Sequence, residues 1–193
     1  INEGDKIGLI GVNGTGKSTF LRVLTGREPA DAGNVTLGSG VRVAYLPQNP
    51  EFDPKATVLE QIFQGKSPAM QTIREYESIL QQIQLLPDDA GLQKKLIQLT
   101  QQMETTGAWK LESDAKTILT RLGIVDFTAV VSQLSGGQRK RIALATALIH
   151  PADLLILDEP TNHIDNEMVA WLEQTLQSYA GALLMITHDR YFL

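Results

Sequence analysis

The stretch Gly11-Val12-Asn13-Gly14-Thr15-Gly16-Lys17-Ser18-Thr19 decides how this chain folds. Its spacing is that of a glycine-rich phosphate-binding loop, in which backbone N–H groups face phosphate oxygens, the lysine reaches the β- and γ-phosphates, and the hydroxyl binds Mg²⁺. A glycine-rich turn that binds nothing is the alternative, but it leaves Lys17 and Ser18 unexplained. The residues predicted to bind nucleotide here are Asn13, Gly14, Thr15, Gly16, Lys17, Ser18 and Thr19.

The flanking sequence supplies the context that such a loop needs. Residues 6–10 are predicted to form a buried strand, and residues 18–24 a helix with apolar positions on one side. The start of that helix carries a partial positive charge and unpaired N–H groups, which favour an anion.

Composition sets broad limits on the rest. The chain has 193 residues, 42% of them hydrophobic, so it can bury a core. Its net charge of -5 gives no general attraction to nucleic acid or anionic membranes. Without cysteine it has no disulfide, thiolate metal site or cysteine nucleophile, which fits a cytoplasmic protein. It has no apolar run of about 18 residues, so we expect no membrane insertion. Both ends look cut from a longer chain.

Two segments between the loop and residue 112 are predicted from their periodicity. Residues 33–45 alternate in polarity around Gly38-Ser39-Gly40, which predicts an antiparallel β hairpin. Gln48 follows between two prolines and is predicted to lie on a mobile loop, where an ordinary solvated glutamine is the alternative. Residues 70–86 and 92–103 predict two helices packed as an antiparallel hairpin, whose balanced charges also fit a plain helical lobe.

A second short motif, Leu134-Ser135-Gly136-Gly137-Gln138, begins another predicted helix. Its amides and helix dipole make a second anion site, yet one domain has no second phosphate for it. We therefore expect a head-to-tail pair of such domains, with each nucleotide held between the loop of one domain and this motif of the other. The residues predicted to close over nucleotide are Ser135, Gly136, Gly137 and Gln138.

Acidic side chains follow a continuous apolar run. Residues 154–157 predict a buried parallel strand that ends at Asp158 and Glu159. We expect Asp158 and Ser18 to hold Mg²⁺ and Glu159 to polarise the attacking water. Gln48, next to the water and the metal, and His188 are expected to complete the site. For each acid alone a solvated loop carboxylate is the alternative, and for the histidine a structural role.

Across nearly its whole length the chain resembles an ATP-binding-cassette (ABC) nucleotide-binding domain. The matching motifs are the Walker A loop at 11–19, the Q-loop at Gln48, the signature at 134–138, Walker B at 154–159, the D-loop around Asp165 and the switch histidine at His188. The resemblance implies an α/β P-loop NTPase fold with a mostly parallel sheet, an antiparallel β subdomain and a helical subdomain. We expect residues 1–65 and 113–193 to form the core and residues 66–112 an arm-like helical hairpin.

Within that superfamily the chain resembles the ABC-F class, and most closely the first cassette of a Uup-like member. The resemblance rests on Glu159-Pro160-Thr161-Asn162-His163-Ile164-Asp165, on residues 188–193 and on the helical hairpin. It implies a cytoplasmic ATPase that uses ATP and Mg²⁺, needs a second cassette in the same chain or in a homodimer, and binds the ribosome or RNA. The ATPase subunit of an ABC membrane transporter is the alternative. A nucleotide-gated module without catalysis is a third hypothesis, which Glu159 argues against.

Overall fold

The computed structural model describes residues 1–12, 14–150, 152–162 and 164–187. The chain divides into two compact units, one formed by residues 1–51 with 150–193 and the other by residues 52–149. We call them the sheet unit and the helical unit. The segments 52–65 and 113–149, which the sequence grouped with the core, join the predicted hairpin in the helical unit.

The sheet unit is built on a parallel sheet. Its strands are β1 (Lys6–Leu9), β2 (Val43–Leu46), β3 (Leu154–Asp158) and β4 (Ala182–Ile186), in the order β1-β4-β3-β2. Every pairing is parallel, so the predicted mostly parallel sheet is confirmed. Because the strands are in register near their ends, all four carboxyl ends lie along one edge of the sheet.

The core of this unit lies on β3 and β4, in which every residue is buried. On one face their side chains form a cluster with Leu21 of helix α1 (Lys17–Leu24), which is fully buried. The cluster also contains Leu154, Ile156, Ala182, Leu184 and Ile186. Alternate residues of the strands face the other way and are buried too, as expected of a parallel sheet covered on both sides.

The predicted antiparallel hairpin at 33–45 is wrong. Residues 33–42 form no strand, and β2 pairs in parallel with β3 instead. The apolar residues on which the alternation rested remain exposed: Val35, Leu37 and Val41 are 45%, 47% and 39% accessible. Alternating polarity stabilises a strand only when one face is well covered, and these side chains stay largely accessible.

The helical unit contains five helices. They are α2 (Val58–Ile62), α3 (Pro68–Leu85), α4 (Ala90–Thr105), α5 (Ala108–Arg121) and α6 (Gly136–Ile149), with a short 3-10 turn at Val131–Gln133. The remaining helix, α7 (Asn166–Gln177), belongs to the sheet unit. None of the helices in the described ranges has the length and apolar composition of a membrane span.

Helices α3 and α4 form the predicted hairpin, and both also pack against α5. Ser67 and Asp89 cap their first turns, each accepting from a backbone N–H. On the α5 side, the ring of Tyr76 meets Trp109 edge to face at 5.1 Å, and Lys116 bridges Glu112 and Glu77. These contacts make α3, α4 and α5 one packed group.

Candidate functional site

The predicted site residues of the sheet unit come together at the carboxyl edge of the sheet. Gly11 follows β1, Gln48 follows β2, Asp158 ends β3 and Thr187 follows β4. Because Leu46 is paired with Leu157, the loop that carries Gln48 begins beside Asp158. Asn13 and His188, also predicted here, lie outside the described residues. The parallel topology therefore gathers on one edge residues that are far apart in the sequence.

The glycine-rich loop has the backbone that its sequence predicts. Gly14 and Gly16 have φ values of 82° and 86°, a left-handed conformation that favours glycine. The Nζ of Lys17 donates to the carbonyl oxygens of Gly11 at 2.7 Å and Val12 at 2.8 Å, and the hydroxyl of Thr15 donates to Val12 at 2.9 Å. Lys17 thus holds its charge inside the turn of the loop.

The loop passes directly into α1, whose first residue is Lys17. Gly16 occupies the position before the helix and offers no side-chain acceptor to its first amides. Those N–H groups and the positive end of the helix dipole therefore point into the loop together with the ammonium of Lys17. Such an arrangement binds phosphate oxygens.

Asp158 is the most unusual group of the site. Its side chain is buried, with the residue 3% exposed, and neither carboxylate oxygen has a hydrogen-bond partner in the described ranges. Burial raises the pKa of this carboxyl, and the nearby Glu159 adds to the increase, whereas the hydroxyl of Ser18 and the cations Arg22 and Lys17 oppose it. The hydroxyl of Ser18 therefore lies close enough to Asp158 to favour its ionised form.

A buried carboxylate beside a hydroxyl fits a Mg²⁺ ion. Within the part of the chain that the structure describes, no group of three or more His, Cys, Asp or Glu residues could enclose a metal. Mg²⁺ commonly takes one or two protein ligands and completes its octahedron with water and substrate phosphates, so a carboxylate and a hydroxyl suffice. Ser18 and Asp158 are the residues that would hold it. Gln48, also predicted as a ligand, is exposed on its loop.

Glu159 adopts a strained backbone. Its φ of 53° is left-handed, which among the described non-glycine residues occurs here alone. Such a conformation costs about 1–2 kcal/mol for an L-residue and is often found at functional sites. Its N–H donates to the carbonyl of Ile186 at the end of β4, at 3.0 Å. The turn separates the partly exposed Glu159 from the buried Asp158, so two adjacent acids occupy different environments.

Asn162 contacts Glu159 directly, which the sequence did not lead us to expect. Its side-chain amide donates to Oε2 of Glu159 at 2.7 Å, and its backbone N–H donates to the carbonyl of Glu159 at 3.3 Å. Asparagine three residues after an acid is a common turn pattern, so the sequence contains no specific signal for this contact.

The second predicted motif lies in the helical unit, at the start of α6. The hydroxyl of Ser135 accepts from the N–H of Gln138 at 3.2 Å, and Oε1 of Gln138 accepts from the N–H of Ser135 at 2.9 Å. This reciprocal pair is a capping box, and the Ser-x-x-Gln spacing could have predicted it. The serine hydroxyl keeps its proton available for another acceptor.

Gly136 adds a second observation at the same helix start. Its φ is not left-handed, and a Cβ built on it would meet no described atom within 4 Å. Neither backbone conformation nor packing therefore requires glycine at this position. The absence of a side chain there leaves the amides of Gly136 and Gly137 open to close approach by a group from outside.

Comparison with known proteins gives consistent matches. Residues 1–162 match the protein family described as ABC transporter. The chain is 50% identical, over all of its length, to an uncharacterized ABC transporter ATP-binding protein, YfmR, of Bacillus subtilis. It is 37% identical, over 98% of its length, to the energy-dependent translational throttle protein EttA of Haemophilus influenzae. It spans about a third of the length of these relatives, 31% and 34% respectively.

Solved structures show the same fold. An archaeal ribosome recycling factor, aABCE1, crystallised with the ribosomal stalk protein aP1, aligns with 98% of this chain and 30% of its own, at a TM-score of 0.62 and 26% identity. The ATP-binding subunit of an ABC transporter aligns with 97% of this chain and 69% of its own, at a TM-score of 0.66. Its 18% identity supports the fold alone.

Proposed function

The chain belongs to the ABC transporter family, and from this we propose that it binds ATP with Mg²⁺ and hydrolyses it as one of two cooperating cassettes. The resemblance to the ABC-F class is confirmed by the EttA relatives. Because the chain spans about a third of those relatives, the activity and partners of the whole protein are part of the proposal.

The observation that carries the proposal is the buried carboxylate of Asp158, which has no well-formed hydrogen bond within the described ranges and lies beside Ser18 and the phosphate-binding loop. Lys17 and the amides at the start of α1 would neutralise charge on the β- and γ-phosphates, and Ser18 and Asp158 would hold the metal. The metal held there would supply positive charge that offsets the negative charge of the phosphates.

Glu159 is the proposed general base. It emerges at the same edge as Asp158, is partly exposed, and is held by its own backbone and by Asn162. We propose that it orients a water for attack on the γ-phosphate and accepts the proton of that water. His188, which lies outside the described residues, and Gln48, which follows β2, are proposed to contact the γ-phosphate and the metal.

We propose that the motif at Ser135 closes over ATP held by another cassette. Two observations support this: a side chain at Gly136 would meet no described atom within 4 Å, and the Ser135 hydroxyl uses its oxygen, not its proton, in the capping box. ATP bound at the loop would then join two cassettes head to tail, in one chain or in a homodimer, and hydrolysis would let them separate.

We propose that this closure is coupled to ribosome binding in the cytoplasm. Support comes from relatives and neighbours whose names concern translation and ribosome recycling. The ATPase subunit of a membrane transporter remains the second candidate, because the 50% identical relative is described as an ABC transporter ATP-binding protein.

The experiment is co-sedimentation of the full-length Glu159→Gln protein with ribosomes and, separately, with membranes, with and without ATP. This variant keeps its phosphate contacts but lacks the base, so it should stop turnover and pellet with ribosomes when ATP is present. Glu167→Gln, an exposed acid in the first turn of α7, is the matched control and should behave like the parent.

The outcomes separate the candidates. ATP-dependent recovery with membranes instead of ribosomes would overturn the ribosome proposal in favour of the transporter subunit. Parental turnover in Glu159→Gln would remove Glu159 from the role of base, whatever the partner.

A further inference from the structure

We propose that Asn162 is a positioning residue that fixes the carboxylate of Glu159 where it can accept the proton of the water that attacks ATP. The inference rests on the proposed role of Glu159 as general base and adds a residue to that site.

The contact is short and anchored at both ends. The 2.7 Å distance from Nδ2 of Asn162 to Oε2 of Glu159 is typical of a hydrogen bond to an ionised acceptor. The backbone N–H of Asn162 also donates to the carbonyl of Glu159, at 3.3 Å. The side chain that orients Glu159 therefore starts from a backbone already tied to the same residue.

A donor to the carboxylate matters because the backbone of Glu159 fixes only where the side chain starts. The left-handed φ of 53° and the bond from its N–H to Ile186 set the direction of Cβ. Three side-chain torsions remain, and a partly exposed glutamate samples several rotamers unless a donor selects one. A general base must lie within about 3 Å of the proton it accepts, so this selection affects turnover directly.

An amide suits this task better than a cation. A lysine or arginine would also orient the carboxylate. Its positive charge, however, would offset the negative charge of the carboxylate and make it a weaker base toward the water. The amide of Asn162 donates a hydrogen bond and carries no net charge. It can therefore hold the carboxylate at one oxygen while leaving it able to accept a proton.

The competing interpretation is that Asn162 only closes the turn after β3. In that case its loss would loosen the turn, so the free energy of unfolding, the KM for ATP and kcat would all change together. A positioning role predicts that kcat falls while KM and stability stay near their parental values, because no phosphate or metal contact is removed.

The test measures steady-state ATP hydrolysis by the full-length protein, with Glu159→Gln defining the background from other sites. Asn162→Ala should lower kcat above that background by about 10-fold to 100-fold, with KM changed less than about twofold. Asn162→Asp keeps the shape but places a second carboxylate against Oε2, so its kcat should be lower still. Asn166→Asp is the control for the added charge, since an acid in the first turn of α7 is favourable there.

The failures are distinguishable. If Glu159→Gln abolishes turnover while Asn162→Ala and Asn162→Asp keep the parental kcat, the positioning role is wrong and the proposed function stands. If KM and the unfolding free energy change in proportion to kcat, the turn-closing interpretation replaces it. If Glu159→Gln itself retains the parental rate, the proposed base is wrong, and the positioning role with it.

Discussion

At the scale of single residues, the buried carboxylate of Asp158 is unfavourable for folding but well placed to bind a metal. A carboxylate that is buried with no well-formed hydrogen bond among the described residues destabilises the folded chain, since its charge has lost water and the nearby Ser18, Arg22 and Lys17 only partly offset that loss. A divalent cation beside Ser18 would supply a partner. The site is therefore expected to be unfavourable for folding alone and favourable once Mg²⁺ and nucleotide are bound.

The first prediction concerns Asp158→Asn and its dependence on pH. The folded-state pKa of Asp158 is raised above 3.8, so the folded state keeps its proton to higher pH than the unfolded chain does. The stabilisation that Asp158 contributes is then complete below pH 3.8, and it is lost as the pH rises through the folded-state pKa. Without ligand, Asp158→Asn should be more stable than the parent at pH 7 by about 1–3 kcal/mol, with the difference vanishing in acid.

Urea unfolding from acid to neutral pH measures this difference. Asp126→Asn is a control for which we expect the opposite pH dependence. Hydrogen bonds from Thr128 and Ala129 lower the pKa of Asp126, so this variant should lose stability relative to the parent as the pH rises. Adding Mg²⁺ and ATP should stabilise the parent far more than Asp158→Asn. Equal stabilisation of both would mean that Asp158 does not hold the metal.

Sequence reasoning could place the charged groups of the site but not their finer geometry. Lys17, Ser18 and Asp158 were predictable because each stands at a fixed offset within a strand–loop–helix or strand-end pattern. The left-handed backbone of Glu159, its bond to Ile186 on another strand and its bond to Asn162 were not, because no residue spacing signals them. Local spacing contains no information about which strand end lies alongside.

At the scale of elements, the start of α6 has two tasks that a substitution can separate. Ser135 caps the helix through Gln138 and is also proposed to face the phosphate of a second cassette. Aspartate accepts the same N–H hydrogen bond that serine accepts, but it brings a negative charge. Alanine removes both functions.

The second prediction uses these two variants. Ser135→Ala should lower the free energy of unfolding by about 1 kcal/mol, whereas Ser135→Asp should leave it near the parental value. Both should lose ATP turnover in the full-length protein, and Ser135→Asp more severely, because a carboxylate repels phosphate. Unfolding curves and steady-state hydrolysis measure the two effects. Parental turnover in the stable Ser135→Asp variant would show that Ser135 does not approach nucleotide.

Prediction at this scale succeeded where elements bury a face and failed where they do not. The helices of the hairpin were predictable because Met70, Ile73 and Ile79 on α3, and Leu99 and Met103 on α4, are buried at a helical repeat. Residues 33–42 show an equally regular alternation but form no strand, and their apolar side chains stay largely accessible. Periodicity indicates which face an element could bury, and the fold decides whether that face finds a partner.

At the scale of the whole molecule, the two proposed anion sites lie in different units, with the glycine-rich loop in the sheet unit and Ser135 in the helical unit. If each ATP is held between two chains, one chain contributes its loop to one site and its Ser135 motif to the other. A defect in the loop and a defect at Ser135 then inactivate different sites of a mixed pair.

The last prediction follows from that geometry. Lys17→Ala removes a phosphate contact and Ser135→Asp introduces repulsion, so each variant of this chain should be inactive alone. A mixed pair contains one site with both defects and one intact site, formed by the loop of the Ser135→Asp chain and the Ser135 motif of the Lys17→Ala chain. Mixing equal amounts should therefore restore roughly a quarter of the parental turnover, since about half of the pairs are mixed and each has one working site.

ATP hydrolysis by the unmixed parent provides the control. Its turnover per chain should rise with protein concentration, since the active species is a pair. The mixture should show the same dependence, and a second mixture, of Lys17→Ala with a Lys17→Ala and Ser135→Asp double variant, should stay inactive because none of its pairs has an intact site. Parental turnover that is independent of concentration, together with no recovery in the first mixture, would mean that a single chain encloses its own nucleotide.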